Sequence, residues 1–336
     1  MRSVPLCIGG VLLLIGCRKD PALVGAEVPS LFPLELPPGA AMPSVREDNP
    51  LTTASVRLGK SLFFEKGLSR TGTLSCSGCH FSDRAFSDTL PRSFGVNGEQ
   101  GMRNAPSLAN VAYHPALFRD GGVPTLELQV LAPIHDHLEM DHDINQAAAA
   151  LREQEPFATL SQEAYGRPLD AYVITRAIAN YERTLLSGWS RYDRFVHLGE
   201  PALTEQELRG MDLFHSSTAG CASCHSGQDL SDHAFYNIGQ YLDYADNGRE
   251  RITQDPADDG KFKVPTLRNI ALTAPYMHDG TMATLGEVID HFASGGLPHP
   301  NKNPLLVPFT LSPTERADLI AFLTALTDER SIDQVP

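Results

Sequence analysis

The chain has 336 residues, 42% hydrophobic and 20% charged, with a formal net charge of -14 at neutral pH. That length predicts two domains, and the composition is that of a water-soluble globular protein. The acidic excess, with no concentrated basic segment, excludes a nucleic-acid partner, because neutralising phosphates takes clustered Lys and Arg; it fits solubility, or docking of a small basic protein.

At the N-terminus, Arg2 precedes an apolar run from Leu6 to Ile15 that ends in Leu14-Ile15-Gly16-Cys17, followed by a polar RKD. The run is too short to span a bilayer comfortably and predicts an export signal over residues 1–16. LIGC is similar to the bacterial lipobox, which implies cleavage before Cys17 and a lipid on its sulfur. The mature chain would then be anchored on the periplasmic side of a bacterial membrane, expected to be the outer membrane. An ordinary signal peptide followed by an incidental cysteine is the plainer alternative. Residues 17–50, rich in Pro and Ala, read as a semi-rigid spacer between that anchor and the body of the protein.

Of the six cysteines, Cys7 lies in the signal and Cys17 is the lipid site. The other four form two C-x-x-C-H motifs, CSGCH at 76–80 and CASCH at 221–225. No cysteine is left for a disulfide. C-x-x-C-H is the signature of c-type haem attachment: each thiol adds to a vinyl group and the adjacent His reaches the iron. Zinc would have to pool ligands from two distant motifs, and a dithiol redox site requires no His after its second Cys. Two covalent haem c groups are therefore expected, on Cys76 and Cys79 with proximal His80, and on Cys221 and Cys224 with proximal His225.

The chain also resembles itself. PSLANVA at 106–112 matches PTLRNIA at 265–271, an offset of 159 residues that also pairs Asp120-Gly121 with Asp279-Gly280 and Thr125-Leu126 with Thr284-Leu285. Upstream of the motifs, LGKSLF at 58–63 parallels RGMDLF at 209–214. Duplication predicts an N-terminal haem domain over 51–200 and a C-terminal one over 201–336. The expected fold is mainly α: two duplicated cytochrome c-like haem domains with long haem-wrapping loops. Helical spacing of Ile174, Ile178, Tyr181 and Leu185 predicts a helix within 170–186. Thr204 with Glu207, and Ser312 with Glu315, mark the starts of two more.

Over about residues 52–330 the chain resembles the bacterial di-haem cytochrome c peroxidase and MauG family. The resemblance is carried by LGKSLFFEKGLSRTGTLSCSGCH, GMRNAPSLANVAYHPALFRDGG, CASCHSG and KVPTLRNIALTAPYMHDG. It implies reduction of hydrogen peroxide at the N-terminal haem, with electrons delivered through the C-terminal haem by a small c-type cytochrome or cupredoxin. A homodimer is implied as well. Two alternatives remain at this point: a MauG-like oxidase that uses peroxide on a partner protein's aromatic residue, and a di-haem cytochrome that only transfers electrons.

The resemblance assigns residues, and this chain departs from it in places. In peroxidases of the family a loop His binds the first iron in the resting enzyme, yet Phe81 to Arg103 contains none. An open first haem, ready for peroxide without prior reduction, is expected. Bound peroxide then needs a group to accept a proton and return it to the leaving oxygen. The family places a Gln and a Glu ten residues apart over the site, which here are Gln129 as polar positioner and Glu139 as acid–base group. The plainer reading of Glu139 is one more charge in HDHLEMDHD, whose His135, His137 and His142 read as solvated loop residues. The sixth ligand of the second iron, Met or Tyr in the family, falls on Phe292, the fourteenth residue after His278; it has no donor atom. Neighbouring His291, water or an empty position, and Met282 are the candidates. The Trp that usually precedes Asp-Gly between the haems is replaced by Arg119, and the only Trp is Trp189. A calcium ion is implied on Asn104 and the carbonyls of Thr273 and Pro275, with turn capping as the plainer role for Asn104.

Overall fold

The hydroxyl of Thr52 accepts from the Ser55 N–H while the Ser55 hydroxyl accepts from the Thr52 N–H. This reciprocal cap satisfies two donors that a helix start leaves orphaned, and it opens the first helix. The computed structural model describes residues 30–336; the expected signal peptide and Cys17 lie outside them. Among the described residues the α-helices are α1 (Thr53–Phe63), α2 (Leu126–Gln129), α3 (Leu131–His135), α4 (Ile144–Leu151), α5 (Phe157–Tyr165) and α6 (Ala171–Glu182). They continue with α7 (Arg191–Leu198), α8 (Glu205–His215), α9 (Glu250–Thr253), α10 (Leu285–Ser294) and α11 (Pro313–Ala325). The strands β1 (Phe235–Tyr236) and β2 (Phe262–Lys263) form one short antiparallel pair. None of the described helices is long and apolar enough to cross a membrane.

The caps expected at Thr204–Glu207 and Ser312–Glu315 open α8 and α11 as reciprocal capping boxes. In each half the first and last long helices cross: α1 on α6, and α8 on α11. Both crossings require a glycine. A Cβ on Gly59 would lie 1.9 Å from the Ala177 carbonyl oxygen, and one on Gly210 2.0 Å from that of Asp318. These glycines are the equivalent residues of LGKSLF and RGMDLF.

The duplication is also written in the backbone. Asn110 and Asn269, Phe118 and Met277, and Gly121 and Gly280 all have positive φ, and each pair is 159 residues apart. The bridges Leu117–Val123 and Tyr276–Met282 repeat at the same offset. Each half has its own apolar core, one around Leu58, Phe63, Phe86 and Tyr181, the other around Phe214, Leu319 and Phe322.

Three segments depart from the divisions read in the sequence. Residues 30–50 are no free spacer: Phe32 and Leu34 pack on the first core, Glu35 pairs with Arg330, and Asn49 is fully buried against Glu127 and Asn180. Buried Ile332 and Val335 return the C-terminal end to the first core, away from the second domain. The helix α7, assigned by sequence to the first domain, packs on the second core through Tyr192. Composition reveals that a Pro-rich or terminal segment avoids helix, but not which surface it will cover.

Because neither crossing has room for a methyl group, Gly59→Ala and Gly210→Ala should each destabilise the protein by about 1–3 kcal/mol, the usual cost of overpacking. Denaturant unfolding of the haem-loaded protein checks this; unchanged midpoints would mean that the helices are not in such close contact.

Candidate haem and peroxide site

Each C-x-x-C-H motif folds as a single tight turn. The Cys79 and His80 N–H groups both donate to the Cys76 carbonyl, at 3.1 and 3.0 Å, and Cys224 and His225 donate to the Cys221 carbonyl at 3.3 and 3.0 Å. All four thiols are unpaired and half-buried. Burial pushes the Cys79 and Cys221 thiols up to about 11 and raises Cys76 as well, so these are not activated nucleophiles.

The two histidines are prepared for one role. His80 Nδ1 lies 2.7 Å from the Phe86 carbonyl oxygen, and His225 Nδ1 lies 3.1 Å from that of Leu230. A carbonyl only accepts, so each Nδ1 carries the hydrogen and each Nε2 keeps a lone pair. Burial lowers both imidazole pKa values and keeps the rings neutral. Two thiols, a neutral imidazole with its tautomer set and an adjoining apolar core fit a covalently attached haem in each half.

Glu139 follows α3 in a turn. Its side chain is exposed and makes no hydrogen bond among the described residues. Enough protein surrounds it that desolvation, reinforced by the Asp136 charge, pushes its pKa up to about 7. The Val96 N–H donates to the Glu139 carbonyl at 2.8 Å, which ties Glu139 to the loop that follows the first haem-attachment turn. Gly95 makes its position tight: a Cβ there would lie 2.1 Å from the Leu138 carbonyl oxygen and 2.8 Å from that of Glu139. Gln129, the last residue of α2, is half-buried and likewise has no side-chain hydrogen bond among the described residues. His135 and His137 are exposed and His142 is half-buried; the three do not converge on a common point.

The loop from Phe81 to Arg103 is tied down without a histidine. Bridges join Phe81 to Ser87 and Phe94 to Gln100, and the Asp88 carboxylate accepts from the Thr89 and Leu90 N–H groups and the Ser93 hydroxyl. On the second haem's side, Phe292 is half-buried, and His291 Nε2 lies 3.1 Å from the Ile238 carbonyl oxygen. Ligation by that nitrogen would require breaking this bond. Met282 is half-buried, and its backbone pairs with Tyr276.

The implied calcium does not fit its leading ligand. Asn104 accepts from the Arg119 guanidinium on both oxygens, Nη2 to Oδ1 at 2.7 Å and Nε to the main-chain oxygen at 3.0 Å. A cationic side chain already occupies the oxygens that calcium would need.

Sequence reasoning missed two groups. Glu182 on α6 is buried beside Cys76, with burial pushing its pKa up to about 8. The second is a cluster of His114, Asp229 and His233, residues spread over the chain with no motif to mark them. His114 Nε2 meets Asp229 at 3.1 Å, while Lys263 Nζ meets His114 Nδ1 at 3.2 Å. An ammonium on Nδ1 puts the ring proton on Nε2, so His114 donates to Asp229 across the boundary between the halves.

Residues 53–200 match the family described as di-haem cytochrome c peroxidase, and residues 207–327 match cytochrome c. The methylamine utilization protein MauG of Methylorubrum extorquens is 36% identical over 86% of this chain and 82% of its own. Cytochrome c551 peroxidase of Nitrosomonas europaea is 32% identical over 87% of this chain and 85% of its own. Among solved structures, a MauG-like protein associated with microbial copper homeostasis superposes with a TM-score of 0.85 at 38% identity, covering 89% of this chain and 97% of that one. With two haem-attachment turns, two tautomer-fixed proximal histidines and relatives that span both halves, this chain belongs to the di-haem cytochrome c peroxidase and MauG family.

Proposed function

We propose that this peroxidase reduces hydrogen peroxide at the haem that Cys76, Cys79 and His80 would hold, with Glu139 as the acid–base group. Electrons would enter through the second haem, on His225, from a small c-type cytochrome or cupredoxin. The observation that carries the reading is the Glu139 carboxyl, without a hydrogen-bond partner among the described residues, tied through its backbone to the loop after the first haem-attachment turn, and with its pKa pushed up to about 7. A haem iron with a free position supplies peroxide binding and the delivery of two electrons. Glu139 as carboxylate takes one proton from the peroxide and as carboxylic acid gives it to the departing oxygen. Two further protons come from solvent, so that one peroxide, two electrons and two protons yield two waters. The Gln129 amide can orient the peroxide by hydrogen bonding without itself titrating.

A MauG-like oxidation of a partner protein is the second reading, favoured by the loop from Phe81 to Arg103, which has no His to close the first haem. Arg119 in the Trp position counts against it, because a guanidinium does not relay an electron hole as an indole does. We also propose export and a lipid on Cys17, on the strength of the LIGC sequence alone. Metabolic labelling with a fatty acid would test it: label should appear in the full chain and vanish in Cys17→Ala.

Glu139 must be ionised to accept the first proton. The wild-type kcat/KM for peroxide should therefore rise with pH through about 7 and level off above it. Glu139→Gln should lower kcat/KM by about 10²–10⁴-fold and abolish that rise, with haem content unchanged. A variant as fast as the wild type would end the assignment.

Electron paramagnetic resonance of the oxidised protein, never reduced beforehand, separates enzyme from plain cytochrome. A high-spin ferric signal removed by stoichiometric peroxide is expected. Two low-spin signals indifferent to peroxide would mean that both irons are closed. Phe292→Tyr in parallel should alter only the second haem's signal.

A further inference from the structure

The residue that departs most from the family pattern, Arg119, lies against the residue expected to bind calcium. Asn104 is almost wholly buried and is held from three directions. Its N–H donates to the His278 carbonyl at 2.8 Å, its Nδ2 donates to the Leu90 carbonyl at 3.1 Å, and Arg119 covers both oxygens. The bond to Leu90 fixes which way the amide faces: Nδ2 is committed, so Oδ1 turns to Arg119. Leu90 belongs to the first haem's loop and His278 to the second half, so Asn104 joins the two halves.

Arg119 is itself anchored. Its carbonyl accepts from the Lys263 N–H at 2.7 Å, which ties it to β2 in the second half. The next residue, Asp120, is fully buried and accepts from Arg103 at 2.6 Å and Arg251 at 3.0 Å, while Arg103 also forks onto Asp246. Those carboxylates are committed to other arginines, and the two hydrogen bonds Arg119 makes go to Asn104 alone. Burial, ahead of the neighbouring Arg103 charge, lowers the Arg119 pKa to about 10, which leaves it cationic at neutral pH.

We propose that the Arg119 guanidinium is the resident cation at the junction of the two haem domains, taking the place of a calcium ion, so that this chain binds no calcium there. Calcium collects six to eight oxygens at about 2.3–2.6 Å. An ion on Asn104 Oδ1 would share that oxygen with a guanidinium nitrogen 2.7 Å away and would meet a second positive charge at close range. The two cations exclude each other. The consequence is a junction that chelators cannot strip, because its positive charge is part of the chain.

The test uses the di-haem protein and is independent of turnover, so a wrong assignment of the peroxide chemistry would not affect it. Wild-type protein is equilibrated with calcium, desalted, and analysed for metal by mass spectrometry; the reduction potentials of both haems are titrated with and without EGTA. We expect substoichiometric calcium and potentials that EGTA does not move. Arg119→Ala should gain about one calcium per chain, removable by EGTA with a shift in haem potential, whereas Arg119→Lys, which keeps the charge, should gain none. If Arg119→Ala does not fold, Arg119→Gln serves in its place, neutral and nearly as long. Stoichiometric calcium in the wild type would overturn the proposal. So would a folded, fully haem-loaded neutral variant that takes up no calcium.

Discussion

Two hydrogen bonds, from His80 Nδ1–H to the Phe86 carbonyl and from His225 Nδ1–H to the Leu230 carbonyl, leave Nε2 as the nitrogen each half can offer to an iron. Each must be accepted by a carbonyl a few residues further along the chain, so the backbone has to double back sharply. Phe86 and Leu230, the residues that supply those carbonyls, both sit at positive φ, at 58° and 49°. For residues with a Cβ that conformation costs roughly 1–2 kcal/mol each. The offset is burial: Phe86 is 0% exposed and Leu230 2%. An apolar side chain driven into each core holds its own carbonyl in the strained position that the imidazole needs.

Between the halves, charge does what apolar packing does within them. On the second side of that boundary Arg268 of PTLRN holds α7 in place, donating to the Gln228 carbonyl and to Asp193 at 2.9 Å, with the guanidinium 1% and the carboxylate 0% exposed. Arg103 bridges Asp120 of the first half and Asp246 of the second. Asn110 donates to Asp229 at 3.0 Å across the same boundary. Removing one member of such a pair leaves a buried charge without a partner, at about 3–5 kcal/mol. The junction is therefore selective about orientation, as electron transfer between two fixed cofactors requires.

The haem sites were legible because covalent attachment fixes a local spacing, and local spacing is what a sequence displays. The same holds for the helix starts at Thr204 and Ser312, where cap and partner lie three residues apart. The repeat was legible as letters and reappears as backbone, in Asn110 with Asn269 and Gly121 with Gly280. What escaped was long-range and polar. Nothing in FRDG announces that Arg119 reaches Asn104, and nothing in YERTLL announces that Glu182 comes to lie beside Cys76. Each depends on how loops close over one another, which neither periodicity nor propensity encodes. The packing of residues 30–50 escaped for a related reason: proline-rich composition states what a segment cannot form, not what it will touch.

Glu139 and Glu182 show how environment divides the work between two like groups. Both carboxyls add to the charge that raises the Cys76 thiol, and both have pKa values pushed up by burial, to about 7 and about 8. Glu182 is 5% exposed, its Oε2 has no hydrogen-bond partner among the described residues, and the opposing Arg183 and Glu127 charges act on it second and third. Its proton has no exit, so protonation keeps a buried carboxyl neutral and makes it part of the core. Glu139 has the same chemistry, is exposed, and has no side-chain hydrogen-bond partner among the described residues. An exposed carboxyl without a partner can accept and return a proton, and this freedom, more than its pKa, distinguishes an acid–base group from a structural acid.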